Sequence, residues 1–282
     1  MWHLPHNTQN LESHKPVMSF TLTSYNLLAS DYIKPRFYPR TPAEILKPEW
    51  RIPALVQHIV KLESDVLCFQ EVDQKTLTAL RVTLEPMGYE GYDARKGGGK
   101  PDGCSTFFRF NKFKLKHLAR LEYSDGNSLE THSGHVALTL VLEHSGRNLG
   151  ITNTHLKWDA PGTPLAQRFG YQQITQWLLE HQEIAPEMEA WMVCGDFNVE
   201  PENQLISVLQ KAGFEYTHRG LDIHTCNSND RAKLIDFIFH NHALRSVPML
   251  PPEIDNLTPL PSLEQPSDHL ALSAQFEWIA PN

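Results

Sequence analysis

Short apolar runs that stop abruptly at a polar cluster alternate along this chain with longer segments whose apolar positions fall three and four apart. Alternation over Val17 to Ser24 predicts a core strand, and Asp65 to Val72 predicts a second. Between them, Trp50 to Leu62 places Ile52, Leu55, Val56, Ile59 and Val60 on one side of an amphipathic helix. A helix is predicted over Gln74 to Glu85. Strands follow near Cys104 to Arg109, Leu115 to Tyr123, His135 to Glu143 and Leu149 to Thr154, with Gly146 turning the last two into a hairpin. Leu165 to Gln182 reads as a long helix, Trp191 to Cys194 as a strand, and Glu202 to Lys211 as a helix stopped near Gly213. Leu234 to Phe239 and Leu270 to Trp278 close the chain as strands. Many strands joined by hairpins, with few helices, predict an α/β fold of two mixed β-sheets packed face to face with flanking helices.

The chemistry lies where the apolar runs end. Asn26 follows SY, Gln70-Glu71 close VLCF, His155 closes ITNT, Asp196 and Asn198 lie in WMVCGDFN, Asp236 in LIDFIF, and Ser267-Asp268-His269 in PSDH. A carboxylate such as Glu71 at the end of a buried strand is costly unless a cation or hydrogen bonds receive it. An ion pair, for instance with Arg51, is the structural alternative. Asp196 and Asn198 could equally be ordinary turn residues, and the Asp268-His269 dipeptide is weak alone. Carboxylate and carboxamide oxygens suit a hard ion such as Mg²⁺, with Mn²⁺ as a substitute. No HExxH and no paired CxxC is present, which disfavours zinc.

At 282 residues, 40% of them hydrophobic, the chain can bury a sizeable core. One domain over residues 17–282 is expected, preceded by a polar, proline-bounded arm over residues 1–16. Cys68, Cys104, Cys194 and Cys226 are widely spaced, and two lie in apolar strands, so reduced, packed thiols are expected. No segment approaches the ~20 apolar residues that cross a bilayer, and the first residues lack the apolar core of a signal peptide. A cytoplasmic protein with no membrane anchor and no obligate protein partner is expected. The formal charge of −8 argues against broad affinity for long nucleic acid. Basic residues do concentrate between Arg95 and Arg120. Lys112, Lys114 and Lys116 alternate and read as a solvated strand face, and Gly97-Gly98-Gly99-Lys100 fails as a phosphate loop because Pro101 follows the lysine.

Taken in this order, the polar islands resemble the endonuclease/exonuclease/phosphatase superfamily over roughly Ser19 to Trp278. Pro101-Asp102-Gly103-Cys104, followed by Phe107-Phe108, and Asn153-Thr154-His155-Leu156-Lys157 resemble its nocturnin, Angel and deadenylase branch. That resemblance implies a four-layer, DNase I-like α/β sandwich and metal-assisted hydrolysis of a phosphoester. It implies Glu71 as metal ligand, with Asp268 and Asn26 in outer positions. Asp196 aligns or deprotonates the attacking water, Asn198, His155 and His269 stabilise the transition state, and Asp236 fixes the His269 tautomer. Asp102, Lys157, Trp158 and Arg168 are the implied substrate contacts, Trp158 as a stacking surface and Arg168 as a phosphate ligand. The expected substrate is a phosphodiester or phosphomonoester in RNA or a nucleotide. A small-molecule phosphatase or a sphingomyelinase-like phosphodiesterase is the alternative, and a scaffold without catalysis is a third. Retention of all eight polar residues, Asn26, Glu71, His155, Asp196, Asn198, Asp236, Asp268 and His269, argues against the scaffold.

Overall fold

A computed structural model describes residues 19–126, 132–184 and 188–279. The expected arm over residues 1–16 lies outside the described residues, as does the start of the first predicted strand. Two six-stranded sheets form the body. The first runs in the order β13 (Leu244–Met249), β14 (Leu272–Trp278), β1 (Ser19–Asn26), β2 (Val66–Gln70), β4 (Gly103–Arg109) and β3 (Tyr89–Arg95). The second runs β5 (Phe113–Glu122), β6 (Val136–His144), β7 (Arg147–His155), β8 (Ala190–Asp196), β12 (Asp236–His240) and β9 (Glu215–Tyr216). A small hairpin, β10 (Cys226–Ser228) with β11 (Arg231–Lys233), stands apart.

Period-two alternation sorts the side chains into layers. On β8, Ala190, Met192 and Cys194 join the core between the sheets, where they meet Phe20, Leu22, Val66 and Phe108. Trp191 and Val193 of the same strand point the other way, onto Ile174 and Trp177 of α3 (Phe169–Ile184) and Leu205 and Leu209 of α4 (Gln204–Lys211). The first sheet is covered likewise by α1 (Pro48–Leu62) and α2 (Gln74–Leu84), whose Leu55, Ile59, Leu77 and Leu80 pack on Tyr25, Leu67, Phe69 and Phe107. Each fully buried Leu or Phe contributes about 1.5–3 kcal/mol. The result is the four-layer sandwich expected from the sequence. Among the described residues, no helix is long and apolar enough to cross a membrane.

Most predicted elements recur within a few residues of their expected limits. The helix expected from Leu165 begins instead at Phe169, because Asp159 caps it from ten residues upstream, accepting from the Phe169 and Gly170 amides at 2.9 and 3.1 Å.

Each sheet contains one parallel pair, β1 with β2 and β7 with β8. Both pairs end at the same edge of the sandwich: Asn26 is in register with Gln70, and His155 with Asp196. Beneath that edge Gln70 Nε2 donates to Asn153 Oδ1 at 2.8 Å, while Asn153 Nδ2 donates to the carbonyls of Phe69 and Ser105, both at 3.0 Å. One buried side chain from each sheet therefore bolts the two together below the polar cluster.

Candidate active site

The strand ends bring six of the predicted residues together. Asn26 Nδ2 lies 3.2 Å from Glu71 Oε1 and 3.0 Å from Asp196 Oδ2. Its Oδ1 accepts from the Leu28 amide at 2.9 Å, which fixes the amide orientation. Asn26 is thus a clasp between two carboxylates, and its oxygen is engaged by backbone. Nε2 of His155 and Nε2 of His269 each lie 3.6 Å from Asp196 Oδ2. Asn198 donates its amide to Asp196 Oδ1 at 2.8 Å and places Nδ2 3.0 Å from His155 Nε2.

Two of these residues hold unusual backbone. Glu71, just past β2, has φ +54°, and Asn198, two residues past β8, has φ +53°. Left-handed conformations are uncommon outside glycine. They turn both side chains back across the sheet edge. Gly195 has φ +143°, and a Cβ there would stand 1.7 Å from the Thr154 carbonyl oxygen, so only glycine lets β8 deliver Asp196 beside β7.

The charges are shaped by burial. Burial raises the Glu71 carboxyl above its ordinary range, Lys96 opposing and the Asp268 and Asp102 carboxylates adding to the rise. Asp196 is pushed up to about 7 by burial, with His269 pulling the other way. His269 behaves differently: burial disfavours its charge, yet the carboxylates of Asp236 and Asp196 and the Cys226 thiol outweigh it and hold the imidazole well above its usual value. Asp236 Oδ2 lies 2.8 Å from His269 Nδ1 and accepts from Thr225 Oγ1 at 2.6 Å. His155 is not its equivalent, because burial and the nearby Lys96 ammonium hold it well below the usual imidazole value. A neutral and a cationic imidazole therefore flank Asp196.

Lys96 is the residue the sequence concealed. It lies in the basic stretch from Arg95 to Arg120, where the sequence singles out no basic residue for the site, yet its side chain is 2% exposed, 2.7 Å from Asp102 Oδ2 and 3.3 Å from His155 Nδ1. Asp102 also accepts from Tyr32 at 2.6 Å. Asp102 thus sits behind the site, holding a cation, where the sequence had suggested a substrate contact at its edge. Gln173 was also missed: it is buried, accepts from the Lys157 amide at 2.9 Å and donates to Ser133 Oγ at 3.1 Å.

Trp158 and Arg168 stand apart from the carboxylates, lining a cleft of about 530 Å³ that opens beside Asn198 and also includes Tyr171, Arg231 and Lys233. Trp158 is exposed there, and Arg168 Nε donates to the Thr163 carbonyl at 2.7 Å. Lys157, next in sequence to the cleft, is half-buried.

Asp268 completes the set from the opposite side. Its Oδ2 accepts from Tyr38 at 3.0 Å, and its Oδ1 is buried without a donor among the described residues. An enclosed carboxylate oxygen without a partner, together with the partly buried Glu71, is an all-oxygen donor set that fits a hard divalent ion.

A two-sheet sandwich with carboxylates, carboxamides and imidazoles gathered at the shared strand ends defines the class of protein. The chain matches the Endonuclease/Exonuclease/phosphatase family over residues 24–269 and belongs to it. It is 28% identical to the CCR4-Not complex 3′-5′-exoribonuclease subunit Ccr4 of Saccharomyces cerevisiae, across 99% of this chain and 41% of that protein. It is 30% identical to human Nocturnin, across 86% of this chain and 61% of that protein. The chain thus spans less than two thirds of the curated relatives it matches. The crystal structure of ANGEL2, a 2′,3′-cyclic phosphatase, in complex with adenosine-2′,3′-vanadate superposes with a TM-score of 0.81 at 22% identity, covering 93% of this chain and 96% of that one. The human Nocturnin catalytic domain with bound sulfate gives 0.72 at 26% identity, covering 93% and 94%.

Proposed function

We propose that residues 17–282 form a single metal-dependent phosphoesterase domain that hydrolyses a phosphodiester or phosphomonoester in RNA or a nucleotide by direct attack of water. The observation that carries this reading is Asp196, a carboxylate whose Oδ2 has Asn26 Nδ2 at 3.0 Å and two imidazole nitrogens at 3.6 Å. Raised to about 7 by burial, that carboxyl exchanges a proton near neutral pH and can accept one from water. Asn26 and the Asn198 amide keep its two oxygens aimed. His269, cationic and braced by Asp236, neutralises charge growing on a phosphoryl oxygen, while Asn198 Nδ2 and neutral His155 offer neighbouring polar contacts. Glu71 and Asp268 would hold a divalent ion, Mg²⁺ or Mn²⁺, and that ion would supply Lewis-acid polarisation of the phosphoryl group.

The names of the relatives support RNA or nucleotide as the substrate class. The cleft beside Asn198, with exposed Trp158 for stacking and Arg168 and Lys233 for anionic groups, suits a nucleotide-sized substrate. The test is product release with Mg²⁺ or Mn²⁺ from oligo(A), mixed RNA, single- and double-stranded DNA, RNA ending in a cyclic phosphate, NADPH and sphingomyelin. Metal-dependent turnover of an RNA or nucleotide member, lost in Glu71→Ala and Asp196→Asn proteins of unchanged fold, is expected. Turnover of sphingomyelin alone, or full activity in either variant, overturns the assignment.

A further inference from the structure

Cys226 stands beside this site, and the mechanism above uses it only through its influence on His269. It is 3% exposed and forms an isolated antiparallel bridge with His269, flanked by hydrogen bonds from the Asn227 amide to the Asp268 carbonyl at 2.9 Å and from the Leu270 amide to the Thr225 carbonyl at 2.7 Å. Directly opposed residues of antiparallel segments project to the same face. The Cys226 sulfur, a ring nitrogen of His269 and a carboxylate oxygen of Asp268 accordingly lie within 4.8 Å of one another, all three side chains buried. That spread suits one tetrahedral ion bonded at roughly 2.3 Å to sulfur and about 2.0–2.2 Å to nitrogen and oxygen. A second observation points the same way: Asp268 Oδ1 is fully enclosed with no donor among the described residues.

The donor set decides which ion. Glu71 and Asp268 offer only oxygen and suit Mg²⁺, whereas sulfur and imidazole beside one carboxylate favour a softer, tetrahedral ion, and excess Mg²⁺ competes poorly for thiolate.

We propose that Cys226, His269 and Asp268 form a zinc site whose occupation withdraws His269 and Asp268 from hydrolysis and so switches the protein off. The inhibition rests on the phosphoesterase reading above; the binding does not. On binding, the Cys226 thiol proton and one imidazolium proton of His269 pass to solvent, bonds from sulfur, nitrogen and the Asp268 carboxylate to zinc form, and no group changes oxidation state.

Binding is read on the full chain without substrate, using Co²⁺ as the probe. Wild-type protein is expected to give a thiolate-to-cobalt charge-transfer band that saturates at one equivalent and is bleached by Zn²⁺. Cys226→Ala, and Cys226→Ser should the alanine variant fold poorly, are expected to lose the band. Cys68→Ala, altered in the core between the sheets, is expected to keep it. Inhibition is then read on whichever member of the substrate panel is turned over with Mg²⁺. Measured against its own zinc-free rate, each Cys226 variant should require at least about tenfold more Zn²⁺ for half-inhibition. A band that survives in the Cys226 variants, or identical zinc sensitivity in all proteins, overturns the proposal. A Cys226-dependent band in a protein that turns over no substrate upholds the zinc site while the phosphoesterase reading falls.

Discussion

Replacing Arg51 by methionine removes a cation that sits 0% exposed on α1 and faces three backbone carbonyls. Its Nη1 donates to Leu27 O at 2.7 Å and Pro266 O at 3.3 Å, and its Nη2 donates to Leu28 O. Leu27 and Leu28 follow Asn26 in the chain, and Pro266 precedes Ser267 and Asp268, so one guanidinium fastens the two segments that carry opposite sides of the site. Methionine keeps most of the apolar stem and has no donor. Each stranded buried carbonyl loses its partner at a cost of about 1–3 kcal/mol. The gain from no longer burying a cation offsets part of that sum, because burial alone lowers the Arg51 pKa despite the acidic groups around it. The net expectation is about 3–4 kcal/mol, in the range for breaking a buried charged contact on one side. For a chain of this size that corresponds to roughly 10 °C in melting temperature. Loosened strand-end segments should also cost on the order of 100-fold in turnover, as misplacement of about 1 Å does elsewhere. Urea unfolding gives the stability and initial rates give the activity. Arg51→Lys, which keeps the charge but cannot span three carbonyls, should fall between the two. A methionine variant within about 1 kcal/mol of wild type and fully active would refute the argument.

Four further outcomes follow from the same geometry. Asn153→Ala removes the donor that serves Phe69 O and Ser105 O and the acceptor of Gln70, so unfolding free energy should drop by about 2–4 kcal/mol, measured by denaturant titration. Gly195→Ala drives a Cβ into the Thr154 carbonyl and should lower stability by about 3 kcal/mol or more; a variant that melts like wild type would remove the basis for the close approach of β7 and β8. Glu71→Gln removes a partly buried carboxylate whose charge desolvation disfavours and should raise the melting temperature of metal-free protein while abolishing the upward shift on adding Mg²⁺, both read in one thermal series. His181 packs against Trp191 at 4.6 Å, and burial lowers it to about 4. An unfolded histidine titrates near 6.5, so the stability present above that pH should decline as pH falls towards 4, by about 1–2 kcal/mol once solvent screening is allowed for. His181→Phe should flatten that slope.

Strong periodicity made the two-sheet plan readable. VLCFQ and the AWMVC run stand between helices and buried neighbours, and such strands carry near-continuous apolar sequence. The strands that escaped are those whose burial is partial or whose length is short. Tyr89–Arg95 lies at a sheet edge with mostly half-buried, polar residues, and its Gly91 exists because a Cβ would strike the Phe107 ring at 2.3 Å. Leu244–Met249 is the opposite edge, with alternate residues exposed and Pro248 within it. The polar islands announced themselves because each ends an apolar run. Lys96, by contrast, is preceded by Arg95 and followed by three glycines, and nothing local says that Asp102, six residues on, folds back to bury it. Its other neighbour, His155, lies 59 residues on, and sequence spacing does not encode that approach.

The two sheets also explain why the site has two chemical sides. Position by position, β14-β1-β2-β4 of one sheet matches β6-β7-β8-β12 of the other: an antiparallel pair, a parallel pair, then an antiparallel pair. In each, a helix-bearing crossover, through α1 or α3, joins the two parallel strands. Asn26 then corresponds to His155, and the end of β2 to Asp196, by register. The backbone repeats, yet the side chains do not. One half delivers the Glu71 carboxylate, clasped by Asn26, and the other delivers Asp196 between imidazoles. A repeat of identical side chains would gather either carboxylates that repel one another or imidazoles with no ion to share. Divergence of the two halves instead sets the Glu71 carboxylate beside Asp196 and its imidazoles, joined through Asn26, and that pairing is the one the proposed hydrolysis would use.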